Sequence, residues 1–64
     1  MKVSEKLLRI RAAKGLSQEE LARELGVSFT TINRWENEKT APSKLFVLLI
    51  EDYCKKNKIE LEEA

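Results

Sequence analysis

The sequence predicts a compact all-α domain of four or five helices. Three observations carry that expectation. No stretch of the 64 residues alternates β-branched and polar side chains at period two, the mark of a half-buried strand. The chain breakers are few (Gly15, Gly26 and Pro42), and apolar residues recur between them at helical spacing. A serine stands ahead of each such run, where a helix start needs a side-chain acceptor for its free amides. The length allows one domain, residues 1–64. Its core is thin, because a chain of about 60 residues buries only about 60% of the surface it exposes when unfolded.

Ser4 is the expected N-cap of a first helix over roughly Glu5 to Lys14. Val3, Leu7 and Ile10 share one face, and Gly15 stands where a left-handed C-terminal residue is wanted. Ser17-Gln18-Glu19-Glu20 is a capping box: the Ser17 hydroxyl can accept from the Glu20 amide and the Glu20 carboxylate from the Ser17 amide. Leu16 and Leu21 form its hydrophobic staple, and this second helix runs to Leu25, before Gly26. Ser28 caps a third helix from Phe29 to about Glu36, with Val27 and Ile32 as its staple. So short a connection containing Gly is the spacing of a helix-turn-helix unit, about residues 17–36. Asn37 to Ala41 is a polar loop. Ser43, after Pro42, caps a fourth helix, so that the C-terminal helical unit covers about 43–57. The tail from Lys58 to Ala64 sets Ile59 and Leu61 among acids and reads as a short last turn or a frayed end.

Composition excludes several classes. There is no His, which removes a His-based triad, and one Cys, which removes a Cys/His zinc site and an internal disulfide. No catalytic residue, metal or cofactor is therefore expected, and a reducing, cytoplasmic setting fits. No apolar signal stretch opens the chain, and the longest apolar run, Leu45 to Ile50, is far short of the about 20 residues that span a bilayer. A membrane partner and a pocket for a small-molecule ligand are not expected. Twelve basic and eleven acidic side chains leave a net charge of +1, against a polybasic tail. That balance hides an asymmetry. Residues 1–34 carry seven basic and four acidic side chains, and residues 35–64 carry five and seven.

The ordered string Leu16-Ser17-Gln18, Leu21-Ala22, Leu25-Gly26-Val27-Ser28, Thr31-Ile32, Trp35-Glu36 and Pro42-Ser43 closely resembles the lambda-repressor and Cro-like helix-turn-helix family, the xenobiotic-response-element type. The resemblance extends from residue 6 to about residue 53. It implies a lambda-repressor-like DNA-binding domain, double-stranded DNA as partner and a transcriptional regulator or repressor, phage-repressor-like or antitoxin-like. The helix after Ser28 would lie in the major groove, which admits one α-helix. The resemblance further implies a nucleoid-associated protein of the cytoplasm.

Helical spacing turns Leu21, Leu25, Ile32 and Trp35 inward and gives Ala22 the site where two helices cross. Thr30, Asn33, Arg34 and Asn37 then share the outer side. In such a motif the first residues of the second helix meet base edges, here Ser28, Phe29 and Thr30, with Asn33 and Arg34 a turn later. Arg34 suits guanine O6 and N7, a phosphate or a surface ion pair. Asn33 suits adenine or plain solvation. Phe29 suits a thymine methyl or a place beside Val27. Thr30 and Thr31 fit phosphate or sugar better than bases. The resemblance implies phosphate contacts for Gln18 at the positive end of its helix, and for Asn37, Lys39 and Thr40 in the following loop. It also pairs Arg11 with Glu36. One residue departs from the pattern: Glu38 stands where the family usually has Gly, which predicts a shifted loop or a mild repulsion of DNA.

On the fourth helix, Phe46, Leu49, Ile50 and Tyr53 share the arc expected to close the core. Val47, Leu48 and Cys54 fall off it. With Ile59 and Leu61 they are the candidate interface of a homodimer, which the resemblance places on a palindromic operator with reading helices about 34 Å apart. The alternative is extra core under a folded-back tail. Cys54 reads as a small hydrophobe. Other functions open at this point are a helical protein-interaction module and the DNA-targeting domain of a larger protein.

Overall fold

The computed structural model describes residues 2–61. Four helices follow in order: α1 (Val3–Lys14), α2 (Gln18–Leu25), α3 (Phe29–Glu36) and α4 (Lys44–Lys56). No strand occurs among the described residues.

Three of the four serine caps form as the sequence predicts. Ser17 Oγ accepts from the Glu20 amide at 3.1 Å, and the Glu20 carboxylate accepts from the Ser17 amide at 2.8 Å. Ser28 Oγ accepts from the Thr31 amide at 3.2 Å and Ser43 Oγ from the Phe46 amide at 3.4 Å. The first helix differs. It starts at Val3, so Ser4 lies inside its first turn and is buried. Lys2 takes the cap position, and its amide donates to the Glu5 carboxylate at 3.4 Å. A carboxylate three residues into the helix can hold a cap-position amide without help from a hydroxyl, and this lets the helix begin two residues earlier.

All four helices end alike. The amide just past a left-handed residue returns to a carbonyl five residues back: Leu16 to Arg11 at 3.0 Å, Val27 to Ala22 at 2.9 Å, Lys39 to Arg34 at 2.9 Å, and Ile59 to Cys54 at 2.8 Å. The residue before each donor has positive φ: Gly15, Gly26, Glu38 and Lys58. This is the Schellman closure, which requires a left-handed residue. A Cβ on Gly15 or Gly26 would meet nothing within 4 Å. Glycine is needed there for its φ, not for close packing. Glu38, where the family usually has glycine, adopts the left-handed turn with φ 58°. The closure is kept, and a residue with a Cβ bears its strain.

The core joins Leu7 and Ile10 of α1, Leu21, Ala22 and Leu25 of α2, Ile32 and Trp35 of α3, and Ile50 and Cys54 of α4. Leu7, Ile10, Leu21, Ile32 and Ile50 are fully buried. Ala22, expected where two helices cross, is buried in this core. Trp35 and Phe46 set their rings 5.5 Å apart at 56°, which fastens α3 to α4.

The inward stripe of α4 departs from the expected arc. It runs through Phe46, Ile50, Tyr53 and Cys54, while Leu49 faces water. The helix is turned toward Cys54 because the tail folds back there: the Ile59 amide closes on the Cys54 carbonyl, and Ile59 and Leu61 pack against the core. Cys54 is thus buried within its own domain and offers no surface to a second copy, correcting its place among the interface candidates. Its thiol pKa is pushed up, first by burial. Two polar links hold α4 in this setting. Lys6, itself buried, donates to Glu51 at 2.6 Å, and the Tyr53 hydroxyl donates to Glu24 at 2.8 Å.

Candidate nucleic-acid interface

α3 is amphipathic in a way that sorts its side chains by role. Ile32 and Trp35 anchor it in the core, and the caps at Ser28 and Asn37 fix its two ends. What remains outside is a stripe of hydrogen-bonding groups. Thr30, Arg34 and Asn37 are exposed, and Phe29 keeps 47% of its surface in water. Arg34 makes no salt bridge among the described residues. The Ser28 hydroxyl is already engaged, with the Thr31 amide and with the Thr31 hydroxyl at 2.8 Å. Ser28 and Thr31 therefore first serve the helix start. Asn37 donates its side-chain amide to the Asn33 carbonyl at 2.8 Å, which leaves its Oδ1 free to accept.

Behind this stripe lies a polar network that ties three helices together. Arg11 Nη1 of α1 donates to Glu36 Oε1 at 2.8 Å, and its Nε donates to the Leu16 carbonyl at 3.1 Å. Gln18 Nε2, at the start of α2, donates to the same Glu36 Oε1 at 2.8 Å. Asn33 Nδ2 donates in turn to Gln18 Oε1 at 3.3 Å. The Glu36 side chain is 6% exposed and that of Arg11 27%. Glu36 Oε2 is buried with no hydrogen-bond partner among the described residues. A buried carboxylate is tolerable here because its other oxygen takes two donors, one of them charged.

The Arg11–Glu36 pair expected from the resemblance is thus formed, and Gln18 reaches both Glu36 and Asn33. The resemblance also implies that Gln18 braces the reading helix, and its bond to Asn33 does so. Lys39 and Thr40 are exposed in the loop that leaves α3. Glu38 sits beside them and meets Lys2 Nζ at 3.4 Å across open surface, a pair worth little in water.

The remaining interface candidates separate. Val47 is half-buried and Leu48 exposed on α4, whereas Ile59 and Leu61 are half-buried against the core. Leu45 and Leu49, not singled out in the sequence as surface, join Leu48 on an exposed apolar strip, and Leu45 is 75% exposed. A hollow beside it is lined by Leu25, Phe46 and Asp52 together with the three leucines. Among the described residues no group of His, Cys, Asp and Glu is arranged to hold a metal ion. No helix among them is long and apolar enough to cross a membrane.

Comparisons with known proteins bear on what this surface is for. The profile of a family described as helix-turn-helix matches residues 7–61. Over 43 residues the chain is 46% identical to an HTH-type transcriptional activator of Enterococcus faecalis. That alignment covers 67% of this chain and 21% of the relative, so the chain spans about a fifth of the relative's length. No solved structure matches.

Proposed function

This chain belongs to the helix-turn-helix family of the Cro and lambda-repressor type, and on that premise we propose that it binds a specific double-stranded DNA sequence and regulates transcription. The observation that carries the proposal is the division of α3. Its inner residues Ile32 and Trp35 are locked in the core, while Phe29, Thr30, Arg34 and Asn37 stand in water on one side. A helix held so rigidly can present its outer edge to a major groove at fixed depth. Phe29, Thr30, Asn33 and Arg34 read base edges, with Ser28 at their margin. Gln18, Thr31, Asn37, Lys39 and Thr40 take the phosphates that set the register.

The DNA-bound form is a homodimer on a palindromic operator. Its contact is the α4 strip of Leu45, Leu48 and Leu49, with Val47 at its edge. A strip of this kind is removed from water when a second copy covers it. The excess of positive charge is small, so non-specific affinity is weak and binding leans on a few placed contacts. The chain is a regulator without catalysis, working in the cytoplasm, either by itself or as the DNA-targeting part of a longer protein.

The test is selection from a randomised duplex library, followed by affinity at several salt concentrations. The expected result is a palindromic consensus and a clearly negative log-log salt slope. Selection without a consensus, and binding indifferent to salt, would favour the protein-interaction reading instead.

A further inference from the structure

From the place of Phe29 on α3 we infer that its ring reads the C5 methyl group of a pyrimidine in the major groove, so that it accepts 5-methylcytosine as well as thymine and makes DNA binding respond to cytosine methylation. The inference rests on the DNA-binding reading above and names one chemical group within it.

Phe29 is the first residue of α3 and keeps 47% of its surface in water. It lies outside the core and outside the half-buried side chains packed against it, although Val27, two residues earlier, is among them. The backbone beneath the ring is held from both sides. The Val27 amide closes on the Ala22 carbonyl at 2.9 Å, and the Ile32 amide donates to the Ser28 carbonyl at 3.2 Å. The Ser28 hydroxyl accepts from the Thr31 amide at 3.2 Å. Asn33 follows one turn later on the same side of the helix. A large apolar group therefore stands at a fixed point on an edge whose other members form hydrogen bonds.

A phenyl ring has no donor and no acceptor for a base edge. Pressed on guanine it takes water from O6 and N7, and pressed on adenine from N7 and the N6 amino group, returning nothing to either. Polar groups stranded in this way are penalised. The apolar group that the unmodified bases offer in this groove is the C5 methyl of thymine. Ring and methyl shield each other from water and leave no polar atom unpaired. The ring bonds neither to the thymine O4 carbonyl nor to the cytosine N4 amino group, so it does not tell them apart by hydrogen bonding. 5-Methylcytosine carries the same methyl at the same ring atom, whereas cytosine and uracil carry hydrogen there. Phe29 thus sorts pyrimidines by their methyl group. Methylating a cytosine adds no charge and keeps its pairing with guanine, so the phosphate contacts of the protein are left as they were.

The test begins with the sequence that selection from a randomised duplex library yields. Each thymine of that sequence is replaced singly by deoxyuridine, which removes only the methyl. Binding of the wild type should weaken by about fourfold at one thymine of each half-site, the value of one buried methyl group. A cytosine–guanine pair at that position should bind weakly, and 5-methylcytosine in place of the cytosine should recover about the same factor. With Phe29→Ser, the ratio between thymine and deoxyuridine and that between 5-methylcytosine and cytosine should both fall to about one. The ratios compare duplexes on the same protein, so a variant that binds less tightly throughout still reports them. Three results overturn the inference: deoxyuridine tolerated at every thymine, methyl sensitivity kept in full by Phe29→Ser, or 5-methylcytosine bound no better than cytosine. A selection without consensus removes the DNA-binding reading and this inference with it, whereas a clear consensus whose thymines all tolerate deoxyuridine overturns this inference alone.

Discussion

Arg11 and Glu36 meet at 2.8 Å with unequal shares of water: the carboxylate is almost wholly enclosed, and the guanidinium is about a quarter exposed. Removing either partner does not cost the same. Arg11→Ala leaves a buried charge with only Gln18 as donor. Glu36→Ala leaves a cation that water can reach and that still holds the Leu16 carbonyl. Stranding a buried charge costs about 3–5 kcal/mol. Arg11→Ala should approach the lower end of that range, and Glu36→Ala should cost less while still lowering Tm. Thermal or urea unfolding of the two variants decides it; an unchanged Tm for both would count against the pair as a fastening between α1 and α3.

Left-handed strain at Glu38 and Lys58 makes a second expectation. An L-residue in this conformation costs about 1–2 kcal/mol, and glycine avoids it at some cost in chain entropy. Glu38→Gly and Lys58→Gly should each stabilise the fold by about 0.5–1 kcal/mol, a rise of several degrees in Tm for a domain of this size. Glu38→Gly also removes the exposed ion pair with Lys2, which offsets little of that gain. The same variant should bind DNA at least as tightly, since it removes an acid beside Lys39. A lower Tm for both glycine variants would refute the strain argument.

The two ends of the pH scale act on different links. Hydrogen bonding to Ser17 holds the Glu20 carboxyl below its ordinary pKa, and the Lys6 ammonium does the same for Glu51. The unfolded chain then takes up protons at higher pH than the folded one. Stability from these groups is present above the ordinary carboxylate range, near about pH 4.3, and is lost as the pH falls through it and below. Burial, followed by the Glu24 contact, pushes the Tyr53 pKa up to about 12. The unfolded chain loses that proton near about pH 10, so stability falls between about pH 10 and 12. Urea midpoints across pH should show both declines. Glu51→Gln should soften the acid one and Tyr53→Phe the alkaline one; curves parallel to the wild type would refute the assignments.

Base and phosphate roles separate by salt. Arg34→Ala should relax specificity at one base position. Lys39→Ala should weaken binding to all sequences alike and reduce the salt slope by about 0.9, the value of one phosphate contact. Competition binding to the selected operator and to its single-base variants measures both effects. Equal behaviour of the two variants would show that the roles drawn for α3 and its following loop are wrong.

The apolar strip on α4 can be probed without disturbing the core, because Leu48 faces water. Leu48→Glu should leave the monomer's stability within about 0.5 kcal/mol of the wild type, as surface changes do. It should abolish the dimer on operator DNA and weaken operator binding by an order of magnitude or more. Sedimentation of the wild type as a monomer even with operator present would remove the dimer from the proposal.

What the sequence determined by itself was local. Serine caps, staple pairs and the glycines at 15 and 26 work within five residues of chain, so the positions of α2, α3 and α4 and the inward turn of Leu21, Leu25, Ile32 and Trp35 could be read directly. The string from Leu16 to Ser43 carried the family as well. Tertiary structure decided whatever depended on how helices face one another. The tail closing on Cys54 turned α4, put Cys54 inside and left Leu49 out. Glu5 replaced Ser4 at the first cap by holding the Lys2 amide. Lys6 found Glu51, and Tyr53 found Glu24, across many residues of intervening chain. The bond from Asn33 to Gln18 exists only because α2 crosses α3 at that point. Periodicity fixes which side of a helix is apolar, but the rotation of the helix within that side is set by its neighbours.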